Sequence, residues 1–271
     1  MIAIRQSSAK KNPAFDEPSP AVPAKRRSRT AASRAARAPE AAPDPGNLAW
    51  LHAKAEEVRA KETKPLTWLI LLGGSGAAHV RLRMAQAHLR NDMTPSNWSH
   101  VVLSTDPQLR KGKDIAVAPP IAWNFPPASN GLINVNLKNF DSVDEFPNVA
   151  LIGVPVDPKA VDEAAENFWK LRRNGLDAVD MMVRWLGFLW GVDGAHNPLT
   201  EGIGMPSAAM VEFVLNAVSY DITPALTSRS SCPEAIWQSA RWWNDYHLSE
   251  TKSGLTGGYL VRNRIVPERK E

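Results

Sequence analysis

Leu66-Thr67-Trp68-Leu69-Ile70-Leu71-Leu72 is an almost uninterrupted apolar run, the pattern of a short strand buried on both faces. Upstream, Leu48, Leu51, Ala55 and Val58 recur at helical spacing between Asn47 and Lys64-Pro65, which predicts an amphipathic helix capped by Asn47. After Gly73-Gly74-Ser75-Gly76, the positions Ala77, Val80, Met84, Ala87 and Leu89 predict a second helix. A β-branched stretch then carries Ser99-His100-Val101-Val102-Leu103, and Asp114 to Phe125, broken by Pro119 and Pro120, reads as an edge strand or loop. Gly131 to Leu137 alternates apolar and polar residues, and Val149 to Val156 is a further buried-type strand. From Asp157 the period changes from two to about 3.6, and four helices are predicted. They run from Asp157-Pro158 to about Arg173, from Leu176 to Trp190, from Pro206 to near Val218, and from Ser231-Cys232-Pro233-Glu234, where Ser and Glu three apart spell a capping box. Tyr259-Leu260-Val261 and Ile265-Val266 predict a closing strand. Strands in the middle and helices at both ends give an α+β fold, a small central antiparallel sheet flanked by helices.

Composition redraws the first part of this picture. Residues 1 to 45 are rich in Pro, Ala, Ser and Arg and show no apolar period, so they are expected to be a disordered tail ahead of one α+β domain over 46–271. The tail holds nine Lys and Arg against four acids, and with the whole chain at +4 the remainder stands near −1. The basic balance therefore belongs to the tail, and no specific nucleic-acid site is expected in the domain. Lys25-Arg26-Arg27-Ser28-Arg29 suits an anionic partner without defining a site. Arg5 and polar residues follow Met1-Ile2-Ala3-Ile4 at once, so no secretory signal is expected, and no apolar run is long enough to span a bilayer. A single cysteine, Cys232, fits a reducing compartment, and a cytoplasmic location is the expectation.

The chemistry-bearing residues are few. None of the six histidines stands at metal-ligand spacing and no cysteine pair exists, so neither a metal nor another cofactor is expected. The glycines at 73, 74 and 76 could offer amides to an anion, but no Walker lysine or full dinucleotide spacing follows, and a plain strand-to-helix turn is the simpler reading. Trp68, Trp169, Trp185, Trp190 and Trp237 lie in apolar runs and are expected in the core, whereas Trp98, Ser99 and Trp123 are candidates for a substrate groove. His100 sits at the start of a strand, where a rigid backbone can hold an imidazole against a cleft. Its candidate nucleophile is in Gly204-Met205-Pro206-Ser207-Ala208-Ala209-Met210-Val211, a turn followed by a helix start that carries a hydroxyl.

Taken in order, Trp98 to Leu103, Gly131 to Phe140, Ala150 to Pro155 and Pro206 to Val211 resemble the permuted papain-like hydrolases, circularly permuted relatives of the NlpC-type cell-wall peptidases. Ser219-Tyr220-Asp221-Ile222-Thr223-Pro224 and Ser231 to Trp237 look like the family's later pieces, so the resemblance spans roughly residues 66 to 240. It implies a circularly permuted papain-like fold and a hydrolase, or an acyl transferase, acting on an amide or ester in a peptide, isopeptide or acyl substrate. It also implies that His100 is the general base and that Ser207 stands where the family carries its thiol. Serine there implies either a Ser–His hydrolase or a degenerate member that binds without cleaving. Cys232, in the first turn of a later helix, is the competing nucleophile. A third group should orient the imidazole, and Asp114 and Asn124 are the two candidates.

Overall fold

Residues 45–109, 114–117, 132–170, 178–224, 226–249 and 256–265 are described by the structure, a computed structural model, and all of them fall in one compact unit, Asp44–Glu271. Asn124 and Trp123 lie outside the described residues. The central strand, β1 (Thr67–Gly73), is buried at every position, as its apolar run predicts. It pairs antiparallel with β2 (His100–Ser104) on one side and β5 (Asn148–Val154) on the other. The antiparallel sheet is completed by β3 (Asp114–Val117), β4 (Leu132–Val135) and β6 (Thr256–Val261), in the order β4-β3-β2-β1-β5-β6. The α+β class with an antiparallel sheet is therefore as expected.

Helices cover both faces of this sheet. On one, α1 (Asn47–Lys61) packs on β5, β6 and the short turn Leu137–Phe140, closing a core that includes Trp68, Ile70, Leu72, Val102, Phe140, Phe146 and Val149. On the other, α5 (Pro206–Ala217) lies across β2 and β3. Around it gather α3 (Pro158–Lys170) and α6 (Pro233–Ser249), while α4 (Ala178–Trp190) also contacts α2 (Ala77–Ala85). This larger core holds Leu69, Leu71, Trp98, Val101, Leu103, Ala150, Ile152, Trp185 and the α5 residues Ala208 to Val211. Side chains alternate across a strand, so each strand feeds both cores in turn.

Two helix starts differ from expectation. Asn47 does not cap α1; its amide instead donates to the carbonyls of Phe140 (2.9 Å) and Phe146 (2.8 Å), tying the helix to a distant turn. The capping box at α6 does not form either. Ser231 donates to Glu212, and the Glu234 N–H is capped by the Gln86 Oε1 at 2.8 Å. At its other end α5 closes with a Schellman motif: the Ser219 and Tyr220 N–H groups reach back to Asn216 and Leu215, and Ser219 takes the left-handed φ of 60°. Trp190, expected in the core, is 71% exposed at the end of α4, and Trp237 is half-buried.

Candidate functional site

Register places His100 on the α1 face of the sheet. It stands opposite Leu72, which belongs to the α1-side core, and directly opposed residues share a face. The imidazole accordingly lies near Phe140, with ring centroids 6.3 Å apart. Ser207 begins α5 on the other face, and Cys232 is buried in the α5-side core. The register thus sets the histidine in one layer and both candidate nucleophiles in the other. Nor does Asp114 come near: its backbone pairs with Ser104 and Val135, four residues along β2 from His100, about 13 Å at ~3.3 Å per residue.

The electrostatics of these groups agree with the geometry. Burial, with a smaller contribution from nearby His79, lowers the His100 pKa to about 3, and its Nε2 has no hydrogen-bond partner. This imidazole is held neutral by its surroundings and is a poor proton acceptor. Burial pushes the Cys232 thiol up to about 12, against any thiolate at neutral pH. Ser99, expected near a groove, is buried, and its hydroxyl accepts from the Gly74 N–H at 3.0 Å. A serine–histidine contact does exist here, Ser99 Oγ to His79 Nδ1 at 3.0 Å, but the hydroxyl also contacts the Leu72 carbonyl at 3.2 Å. Burial lowers the His79 pKa to about 4. This is a structural knot that fastens the glycine turn to β2. At Gly74 a Cβ would strike the His79 ring, which explains the glycine. A second amide of the turn is committed as well, since Ser75 N–H goes to the Glu145 carbonyl at 2.9 Å. Among the described residues no cluster of His, Cys, Asp or Glu could hold a metal, and no helix is long and apolar enough to cross a membrane.

The open surface lies elsewhere, in a groove between α6, β6 and the turn at 90–97. It consists of three adjoining hollows, of about 280 to 380 Å³ each, that share Trp237 and Arg241. Trp98, wholly buried, is an anchor and not a groove residue: it meets Trp237 edge-to-face at 5.2 Å, and Trp237 meets the 58%-exposed Tyr259 at 5.0 Å. An aromatic ladder thus climbs from the core to the surface. The hollow beside Tyr259 is lined by Arg90, Asp92, Arg241 and Arg264. Arg90 is engaged by Asp92 at 2.9 Å and by buried Glu234 at 3.4 Å, which raises its pKa and holds the Asp92 carboxyl far below the usual carboxylate range. Arg241 and Arg264 are exposed and form no ion pair among the described residues.

The groove walls are tied from behind. Arg83, fully buried, donates to the carbonyls of Ser96 (2.8 Å), Gly74 (3.3 Å) and Asn263 (2.8 Å), and burial alone lowers its pKa to about 10. Asn148 bridges the same two segments, donating to Asn97 (3.2 Å) and Asn263 (2.8 Å) and accepting from the N–H groups of Arg262 and Asn263. Both segments are thereby fixed relative to each other before any ligand arrives. Sequence reasoning missed Arg90, Arg241, Tyr259 and Arg264. The spacing of Trp237 and Arg241, four apart on a predicted helix, was the local signal, but their partners come from segments far away in the chain. No family model, curated protein or solved structure matches the chain.

Proposed function

We propose that this domain is a binding module without hydrolytic chemistry, and that its groove takes an anionic ligand bearing a planar ring. The observation that carries this reading is the pair of exposed arginines without carboxylate partners among the described residues, Arg241 and Arg264, in one hollow with the Trp237–Tyr259 edge-to-face pair. Guanidinium groups recognise phosphate or carboxylate by paired N–H donors, and an aromatic wall adds stacking or edge contact with a ring. The fixed walls lower the ordering cost of binding. The degenerate branch of the papain-like reading fits this best: α5 rests against the strand that carries His100, while the base is neutral, buried and on the wrong face for either nucleophile.

ATP and pyrophosphate distinguish the two parts of the proposal by isothermal titration. ATP is expected to bind at least tenfold more tightly than pyrophosphate, because only ATP offers a ring to the aromatic wall. Arg241→Gln with Arg264→Gln, both exposed and without an ion pair among the described residues, should weaken ATP at least tenfold while the melting temperature stays within a few degrees of the parent. Absence of ATP binding, or a double variant that binds as the parent does, overturns the reading.

A further inference from the structure

We infer that the occupant of this groove is a single strand of nucleic acid, with phosphate at the Arg241–Arg264 end and bases laid along α6; the inference rests on the anion-and-ring reading above. Past the arginines the outer side of α6 stays aromatic. Trp242 is 58% and Tyr246 41% exposed, and their rings stack with planes 10° apart and centroids 5.5 Å apart. Trp243 meets Trp242 edge-on at 4.7 Å and braces it. Beyond Trp242 the surface continues into an apolar hollow bounded by Pro224 and Leu226. Two exposed arginines beside a row of exposed rings is the combination by which proteins hold single strands: cations track the phosphates and rings stack on bases, whatever the base.

Charge along the surface has a direction. Around Tyr259 Arg90, Arg241 and Arg264 outnumber Asp92 and leave the hollow net positive, whereas toward Trp242 Asp92, Glu234 and Asp245 outnumber Arg90 and Arg241. Phosphate contact is therefore concentrated at one end and base contact at the other. From Trp237 to Tyr246 is nine residues, a helical rise of about 14 Å. Nine residues also carry the face half a turn round the helix, so at ~3.4 Å per phosphate of a helical strand the path takes at least about four nucleotides. A duplex keeps its bases stacked inward and cannot offer their faces to Trp242. The net charge near −1 of the chain after residue 45 does not exclude such a site, because affinity follows the local arginines, and the first 45 residues add five net positive charges to the same polypeptide.

The test is fluorescence anisotropy on the full chain at fixed physiological salt, with labelled dT4, a labelled 12-nucleotide single strand, a labelled 12-base-pair duplex, and dTTP as competitor. Expected are dT4 binding at least tenfold tighter than dTTP, weaker binding of the duplex than of a 12-nucleotide single strand, and an approximately tenfold loss for dT4 in Trp242→Ala. ATP binding in Trp242→Ala should stay at the parent value, which also shows that the variant is folded. If dT4 binds no better than dTTP, if Trp242→Ala leaves dT4 unchanged, or if duplex binds as well as single strand, the inference falls, and intact ATP binding keeps the anion-and-ring site standing. Loss of all binding, ATP included, in the parent protein would remove both.

Discussion

Glu212 and the two buried histidines respond to pH in opposite senses. Glu212 is 1% exposed, and burial, aided by nearby Asp221, raises its pKa from 4.5 to about 7 against the opposing effect of the hydroxyl bonds it accepts from Thr223 (2.6 Å) and Ser231 (3.1 Å). A carboxyl with a raised folded-state pKa contributes most below its unfolded value, and that contribution is lost as pH rises from about 4.5 through 7. His79 and His100, with pKa values lowered from 6.5 to about 4 and 3, do the reverse: their burial costs stability as pH falls below 6.5 and nothing above it. Glu212→Gln isolates the carboxyl. The unfolding free energy of the parent minus that of the variant, from denaturant melts, is expected to fall by about 3 kcal/mol between pH 4.5 and pH 7 and to level off above. A difference that does not change with pH would show that Glu212 is ionised throughout. The composition of the sequence shows one Glu on an apolar helix start; that two hydroxyls from another loop close over it is a tertiary fact.

Among the elements, α6 shows how local signals are overridden. Ser231 and Glu234 have the spacing of a capping box, yet each finds a partner from outside the helix: Ser231 bonds Glu212, and the Glu234 carboxylate accepts the Ser96 hydroxyl at 2.6 Å and pairs with Arg90. A buried carboxylate gains more from a cation and a hydroxyl than from its own helix N-terminus. Arg83 plays the corresponding part for α2, where an arginine that the helical pattern leaves unmarked reaches three carbonyls in three other segments. Hydrogen bonds to a charged group are worth about 1.5–3 kcal/mol each, and their loss leaves buried acceptors unmatched. Arg83→Met is expected to cost at least about 3 kcal/mol in denaturant unfolding and to weaken ATP in the groove, with Arg83→Lys intermediate in both. A Met variant within 1 kcal/mol of the parent would mean that the walls are held by other contacts.

At the scale of the whole molecule, the sheet divides the chemistry. His100 sits in the α1-side layer and Ser207 and Cys232 in the α5-side layer, so the residues that the resemblance pairs lie on different faces of the sheet. Ser207→Cys tests this directly, by restoring the thiol that the resemblance implies. Its alkylation rate against pH is expected to be the same with and without His100→Ala, since the imidazole is across the sheet. A thiol made reactive at neutral pH only when His100 is present would place the two residues together and return the hydrolase reading.

The sequence alone determined where most elements lie, because strands and helices are written in local apolar periods: β1 follows from Leu66 to Leu72, β5 from Val149 onward, and α5 from Pro206. It also contained the alternation that puts His100 with Val102 and apart from Val101. Only the tertiary structure decided what that alternation means, since a face has no identity until a helix docks on it, and α1 and α5 are placed by contacts distant in sequence. The same holds for the groove. Arg90, Arg241, Tyr259 and Arg264 are unremarkable surface residues in the chain, and become a site because Arg83 and Asn148 draw their segments to one edge of α6.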